Sequence, residues 1–238
     1  MPYFYGFDWT YLVLVLPCLI LSMWASARVN STFKTYSSQI SRRRLTGAQA
    51  AERVLHAHGV RNVRIERISG NLTDHFDPKS NVIRLSDSVY DNPSTAAIGV
   101  ACHEAGHAVQ YAQNYAPIKL RAAIIPITNF GSKLAMPLIL LGIVLSALAD
   151  FSYTLVYLGI ACFSLSLVFQ LVTLPVEFNA SRRALESIES SAILTDDEIK
   201  GAKKTLSAAA MTYVAATAVA LAQLLRLILL FGNRRRRD

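Results

Sequence analysis

The sequence predicts a mainly α membrane protein: about four transmembrane helices plus a small α+β region in the cytoplasm, built around a helix with metal-ligand spacing. Three observations carry that prediction. The 238 residues are 53% hydrophobic and only 17% charged, with mean hydropathy +0.33, whereas soluble domains carry about 25% charged residues. Four apolar runs are long enough to cross a hydrocarbon core of about 30 Å. Between the first and second runs lies one polar stretch, residues 28–131, large enough to bury a core.

The first run, residues 10–27, contains no charge and has no Lys or Arg before it. It therefore reads as a retained anchor, not a cleaved signal, and Pro17 predicts a kink that membrane helices tolerate. Runs 132–149 and 151–174 are separated by little more than Asp150, and so short a connection predicts an antiparallel helical hairpin. Its two outer ends then lie on one side of the membrane. The fourth run, 208–232, is interrupted by Arg226. The whole chain reads as a single membrane domain, with residues 175–207 returning to the polar side.

Orientation follows from the basic residues. Residues 28–133 hold 14 Lys and Arg, residues 182–204 hold five, and the N-terminal tail and the Asp150 turn hold none. Cytoplasmic loops carry the Lys/Arg excess, so 28–131 and 175–207 are expected inside and the N-terminus outside. The arginines at 234–237 oppose this scheme, because a fourth span places them outside. The net charge of +8 belongs to this topology and to lipid contact by Arg42, Arg43 and Arg44. No RNA-binding signature or phosphate loop points to nucleic acid. Cys18, Cys102 and Cys162 suggest no disulfide framework, which suits a reducing face.

Within the polar stretch, residues 46–58 read as a helix capped by Thr46 and stopped at Gly59. His56 and His58 are two apart and point to different faces, so they are read as surface histidines. Residues 60–68 alternate as a half-buried strand. Turns are expected at 70–71 and 77–81, and a second strand at 82–85. Ser94 then caps a helix over 95–113.

That last helix carries His103-Glu104-Ala105-Gly106-His107. Histidines at i and i+4 share a helix face, so both imidazoles can reach one ion. Neutral imidazole suits Zn²⁺. Glu104, beside the first ligand, is placed to take a proton from an attacking water and act as the catalytic base. A third ligand must come from elsewhere, and Glu177 is the choice, because the hairpin returns it to the side that bears His103 and His107. Two other readings of Glu177 stay open: a charge at a helix N-terminus, or a partner for Arg182 or Arg183. Ser181, one turn further on, is placed to support a ligand from behind.

Three blocks resemble a known family: 103–110 (HEAGHAVQ), 70–78 (GNLTDHFDP) and 177–185 (EFNASRRAL). Together they look like the bacterial membrane-bound neutral zinc metallopeptidases of the YugP type, and the resemblance covers nearly the whole chain. It implies a membrane-embedded zinc peptidase with His, His and Glu ligands. A wider similarity is to gluzincin membrane proteases of the HtpX kind, which carry Glu-x-x-x-Asp in the third-ligand helix. Here Ser181 stands at the Asp position, and Asn179 stands where the closer family often has Asp. His75 is a further candidate, as a hydrogen-bond donor to an oxyanion. By the same similarity, the strand at 82–85 is expected to offer an edge to an extended substrate.

Two functions are weighed. The first is a zinc-dependent endopeptidase in the bacterial plasma membrane, cutting peptide or protein substrates at a cytoplasmic site. The second is a non-catalytic zinc-binding scaffold or interaction protein. A structural zinc normally has four protein ligands, and the sequence offers three good ones. Cys102 is turned about 100° from His103 on the helix.

Overall fold

The computed structural model describes residues 3–4, 7–146 and 152–232. The Asp150 turn and the arginines at 234–237 lie outside them. The chain is a mainly α membrane protein, with four helices long and apolar enough to cross a bilayer. Its residues fall into two compact units.

The first unit comprises the described residues of 1–24, 120–174 and 212–238. A two-stranded antiparallel ribbon pairs β1 (Tyr3–Phe4) with β2 (Phe7–Asp8). Helix α1 follows over Tyr11–Ser37. Its first five residues, Tyr11–Val15, are in π register, and the Leu16 N–H reaches the Tyr11 carbonyl. This widened turn stands just before Pro17, which has no N–H to give. The remaining long helices are α4 (Ala116–Leu145), α5 (Ser152–Ser190) and α6 (Asp196–Phe231). Val13, Met23, Phe130 and Val144 are all well exposed, as side chains facing lipid tails must be.

All four long helices extend beyond the apolar runs read from sequence, with α1 continuing to Ser37 and α6 starting at Asp196. Helix α4 begins 16 residues before the expected start at 132, since Pro117 falls in its first turn, where proline is tolerated. Helix α5 runs unbroken through Pro175, so the third span and the segment bearing Glu177 form one helix. Within the first unit, Arg226 donates through Nε to Asp8 at 2.8 Å and also through Nη2. Its guanidinium lies over the Tyr11 ring, 5.4 Å from the centroid. The arginine that interrupts the fourth apolar run is thus a paired charge.

The second unit comprises residues 25–119 and 175–211. Helix α2 (Gly47–Ala57) starts with a reciprocal capping box. The Thr46 hydroxyl accepts from the Gln49 N–H, and the Gln49 side chain accepts from the Thr46 N–H. Gly59, at φ +71°, closes it in the left-handed conformation that only glycine adopts cheaply. Three strands follow: β3 (Arg64–Ile68), β4 (His75–Asp77) and β5 (Val82–Ser86). Their order is β3-β5-β4. β3 runs parallel to β5 with Ile65 opposite Ile83, and β4 runs antiparallel with Phe76 opposite Ile83.

This order adds one element and corrects one expectation. Residues 75–77 form a strand that the sequence does not predict, and the turn expected at 77–81 follows it directly. Three residues are too few to show an alternation in sequence, and pairing with β5 makes the strand. β5 itself is central, with both edges paired, so the strand at 82–85 has no edge to offer. The outer strands are β3 and β4. Arg42 also has partners within the protein. It forms an ion pair with Asp197 at 2.8 Å, and its backbone N–H donates to Glu198. Its charge therefore helps tie the chain before α2 to the start of α6.

Helix α3 (Thr95–Ala112) is the centre of this unit. Its Ser94 cap accepts from the Ala97 N–H. It is buried on nearly every side, and Ile98, Ala101, Ala105 and Val109 join Val54, Leu55, Ile83, Leu85, Ala184 and Ile188 in one core. A helix apolar all round belongs inside. Burial on that scale makes each polar side chain on α3 costly unless it is paired, which directs attention to Glu104, His103, His107 and Gln110.

Candidate metal centre

His103 and His107 are one turn apart on α3. Their rings meet edge to face with centroids 4.7 Å apart. Glu177 of α5 stands opposite, its side chain 3% exposed. One carboxylate oxygen, Oε2, lies 3.3 Å from His103 Nε2 and 3.5 Å from His107 Nε2. Among the described residues these three form a group whose ligand atoms all lie within 4.8 Å of one another. Arg182 lies 3.8 Å from Glu186, and Arg183 donates to Asn179 and Gln113.

The donor set fits zinc. Ligand atoms about 2.1 Å from a tetrahedral ion stand about 3.4 Å from one another, which is the spacing seen between Oε2 and each Nε2. Both imidazoles present the same ring nitrogen, and the carboxylate they face is withdrawn from water. Burial alone pushes the His107 imidazole down. The Glu177 carboxylate beside it, with Glu104 adding charge, outweighs that and leaves it above the ordinary histidine range. The same negative field that favours a proton on His107 favours a dication.

Close approach of α3 and α5 makes the set possible. Gly106 sits between the two histidines, and a Cβ there would lie 2.7 Å from the Ala180 carbonyl oxygen. Only glycine lets the two backbones come so near. Behind the ligands, the Ser181 hydroxyl lies 3.0 Å from His103 Nδ1, and the Gln110 amide oxygen lies 3.0 Å from His107 Nδ1. Each histidine therefore has a partner on the nitrogen turned away from Glu177. Gln110 is fully buried, and sequence alone assigns it no role. Its signals are its place three residues after His107, on the same helix face, and its position at the end of the 103–110 block.

The other candidates lie as follows. Glu104 is 8% exposed and neighbours His107 at i+3. Burial raises the Asp74 carboxyl above the usual carboxylate range, against hydrogen bonds from the Ser86 N–H and hydroxyl, and the Glu104 charge adds to the rise. His75 is exposed on β4, its Nδ1 2.9 Å from the Thr73 carbonyl oxygen, and it is not in the three-residue group. Cys102 is buried, which pushes its thiol up, so it is an inert core residue.

A membrane protein with two histidines and a glutamate converging from an HExxH helix and a second helix falls in the class of zinc-peptidase-like membrane proteins. The family described as "Putative neutral zinc metallopeptidase" matches residues 11–232, and the chain belongs to it. Among curated proteins it is 45% identical over 225 residues to "Putative membrane protease YugP" of Bacillus subtilis (strain 168), covering 94% of this chain and 98% of that protein. No solved structure gives a significant match.

Proposed function

We propose that the chain is a membrane-bound zinc endopeptidase that hydrolyses peptide bonds in peptide or protein substrates. His103, His107 and Glu177 would hold the ion. Zinc, once bound, supplies Lewis-acid polarisation of the scissile carbonyl and the attacking water. Glu104 takes the proton of that water as general base, then delivers it to the leaving amine as general acid. Ser181 orients His103. The observation that carries this reading is the convergence of Glu177 Oε2 on both Nε2 atoms at 3.3 and 3.5 Å.

Three donors, among the described residues, also favour a catalytic site over a structural one. A structural zinc site is closed by four protein ligands, and a catalytic one keeps a position for water and substrate. The basic residues of 28–133 and 182–204 support a cytoplasmic site in a bacterial plasma membrane, with the N-terminus outside.

The test is zinc content and casein cleavage by purified full-length protein, beside a Glu104→Gln variant. The variant should retain one zinc per chain and lose turnover by a factor of at least about 10². Loss of zinc in Glu104→Gln to the extent seen in His103→Ala would make Glu104 a ligand and overturn the assignment. Zinc binding with no peptide hydrolysis on any substrate class would favour the scaffold reading.

A further inference from the structure

Arg183 can only donate hydrogen bonds, and its Nε lies 2.7 Å from Asn179 Oδ1. That contact fixes the Asn179 amide with its oxygen toward the guanidinium. The same oxygen lies 2.9 Å from Gln110 Nε2, and the Val176 carbonyl oxygen also lies 2.9 Å from it. Two acceptors call for the two protons of an amide nitrogen, so the Gln110 side chain can point only one way. Its oxygen is then turned to His107 Nδ1 at 3.0 Å. An amide oxygen only accepts, so Nδ1 must carry the proton. A neutral imidazole protonated there has its lone pair on Nε2, the atom that faces Glu177.

We propose that Gln110 is a positioning residue that sets the tautomer of His107, with its own orientation dictated by Val176, Asn179 and Arg183. The inference rests on the zinc-peptidase reading above for its purpose, though not for its geometry. Gln110 is 0% exposed, so bulk water does not compete for these bonds. The contrast with His103 is informative. Its Nδ1 partner is the Ser181 hydroxyl, which donates or accepts equally well and so imposes no tautomer. Gln110 also ties His107 to the carbonyl of Val176, the residue just before Glu177, so one side chain couples two of the three ligands. A glutamate at 110 would still accept from Nδ1–H but, ionised, would have no proton for Val176 or Asn179.

The test uses the metal-free full chain in lipid nanodiscs, with ¹⁵N-labelled histidine and NMR at a pH where the imidazoles are neutral. The His107 signal, identified among five histidines by its loss in His107→Ala, should report Nδ1–H. In Gln110→Met the signal should shift toward Nε2–H, and zinc affinity, read by chelator competition, should fall about 10–100-fold. Gln110→Glu should keep Nδ1–H and recover most of the affinity. An Nε2–H signal in the wild type, or one unchanged in Gln110→Met, overturns the proposal. So does a Gln110→Glu variant that loses Nδ1–H. If Gln110→Met does not fold, the wild-type and Gln110→Glu spectra decide. A wild-type chain showing Nδ1–H but binding no zinc would overturn the peptidase reading and leave the tautomer assignment standing.

Discussion

Gly106 faces the backbone of Ala180 so closely that a methyl group on Gly106 would lie 2.7 Å from the Ala180 carbonyl oxygen. The obstacle is backbone, which cannot rotate away as a side chain can. The distance between the helix of His103 and His107 and the helix of Glu177 therefore depends on a missing Cβ.

Gly106→Ala should accordingly lose zinc although alanine is the better helix former. Helix propensity favours alanine by about 1 kcal/mol, while overpacking typically costs about 1–3 kcal/mol. Zinc stoichiometry and the thermal unfolding midpoint should both fall. A Gly106→Ala protein with normal zinc and stability would show that α3 and α5 can part without harm to the ligand set.

Removing the Glu177 carboxylate tests the third ligand directly. Glu177→Ala should lower zinc affinity by more than the roughly 10–100-fold that loss of a supporting residue costs. The helices should stay folded in lipid, because their backbone hydrogen bonds are internal. Far-UV circular dichroism and chelator competition on one sample check both halves. Undiminished affinity would exclude Glu177 as a ligand.

Ser181→Ala removes the hydroxyl 3.0 Å from His103 Nδ1. The expected loss of zinc affinity is at the lower end of the 10–100-fold range, about tenfold, because a hydroxyl does not dictate the tautomer. Ser181→Asp should restore or exceed wild-type affinity, since a carboxylate is a stronger acceptor from Nδ1–H. Indifference of the affinity to both changes would remove Ser181 from the site.

Asp77 gives a pH dependence with a definite sign. The Ser80 hydroxyl, the Lys79 N–H and Arg84 hydrogen-bond its carboxylate and hold it at about 2, below its ordinary 3.8. A carboxylate depressed on folding contributes stability that is fully present above the unfolded value and lost as pH falls through the folded one. The stability gap between wild type and Asp77→Asn should thus be constant above about pH 5 and shrink from about pH 4 to 2. Denaturant titrations at stepped pH would measure it. A gap that widens on acidification would contradict the hydrogen-bonding seen at β4.

The Asp8–Arg226 pair bears on topology. The two charges can meet only if the start of the first span and the end of the fourth share a membrane face. Single cysteines at 8 and 226 should be protected from an impermeant thiol reagent on the cytoplasmic side, while cysteines in 40–90 and 185–205 react there. Cytoplasmic labelling at 8 or 226 would sink the proposed orientation.

Much of this was legible in the chain itself. The HExxH helix, its Ser94 cap, the Thr46 cap and Gly59 stop of α2, and the apolar runs all rest on spacings within one element. Local spacing fixes local geometry: i and i+4 share a face whatever surrounds them. Glu177 could be nominated from its place beyond the hairpin, yet sequence left it a choice between ligand, helix-end charge and ion-pair partner. Only the fold brought its Oε2 to both imidazoles.

The rest was decided by tertiary contact. β4 exists because β5 pairs with it, and that pairing also took away the edge expected of β5. Arg42, one of three consecutive arginines, is set apart from the others by Asp197, which is 155 residues away. Gln110 looked like one more polar residue on a helix until Val176 and Asn179, 66 and 69 residues on, closed around its amide. A hydrogen bond needs a partner within about 3 Å and in a set direction. Sequence supplies the donors and acceptors, and the packing of α3 against α5 decides which of them meet.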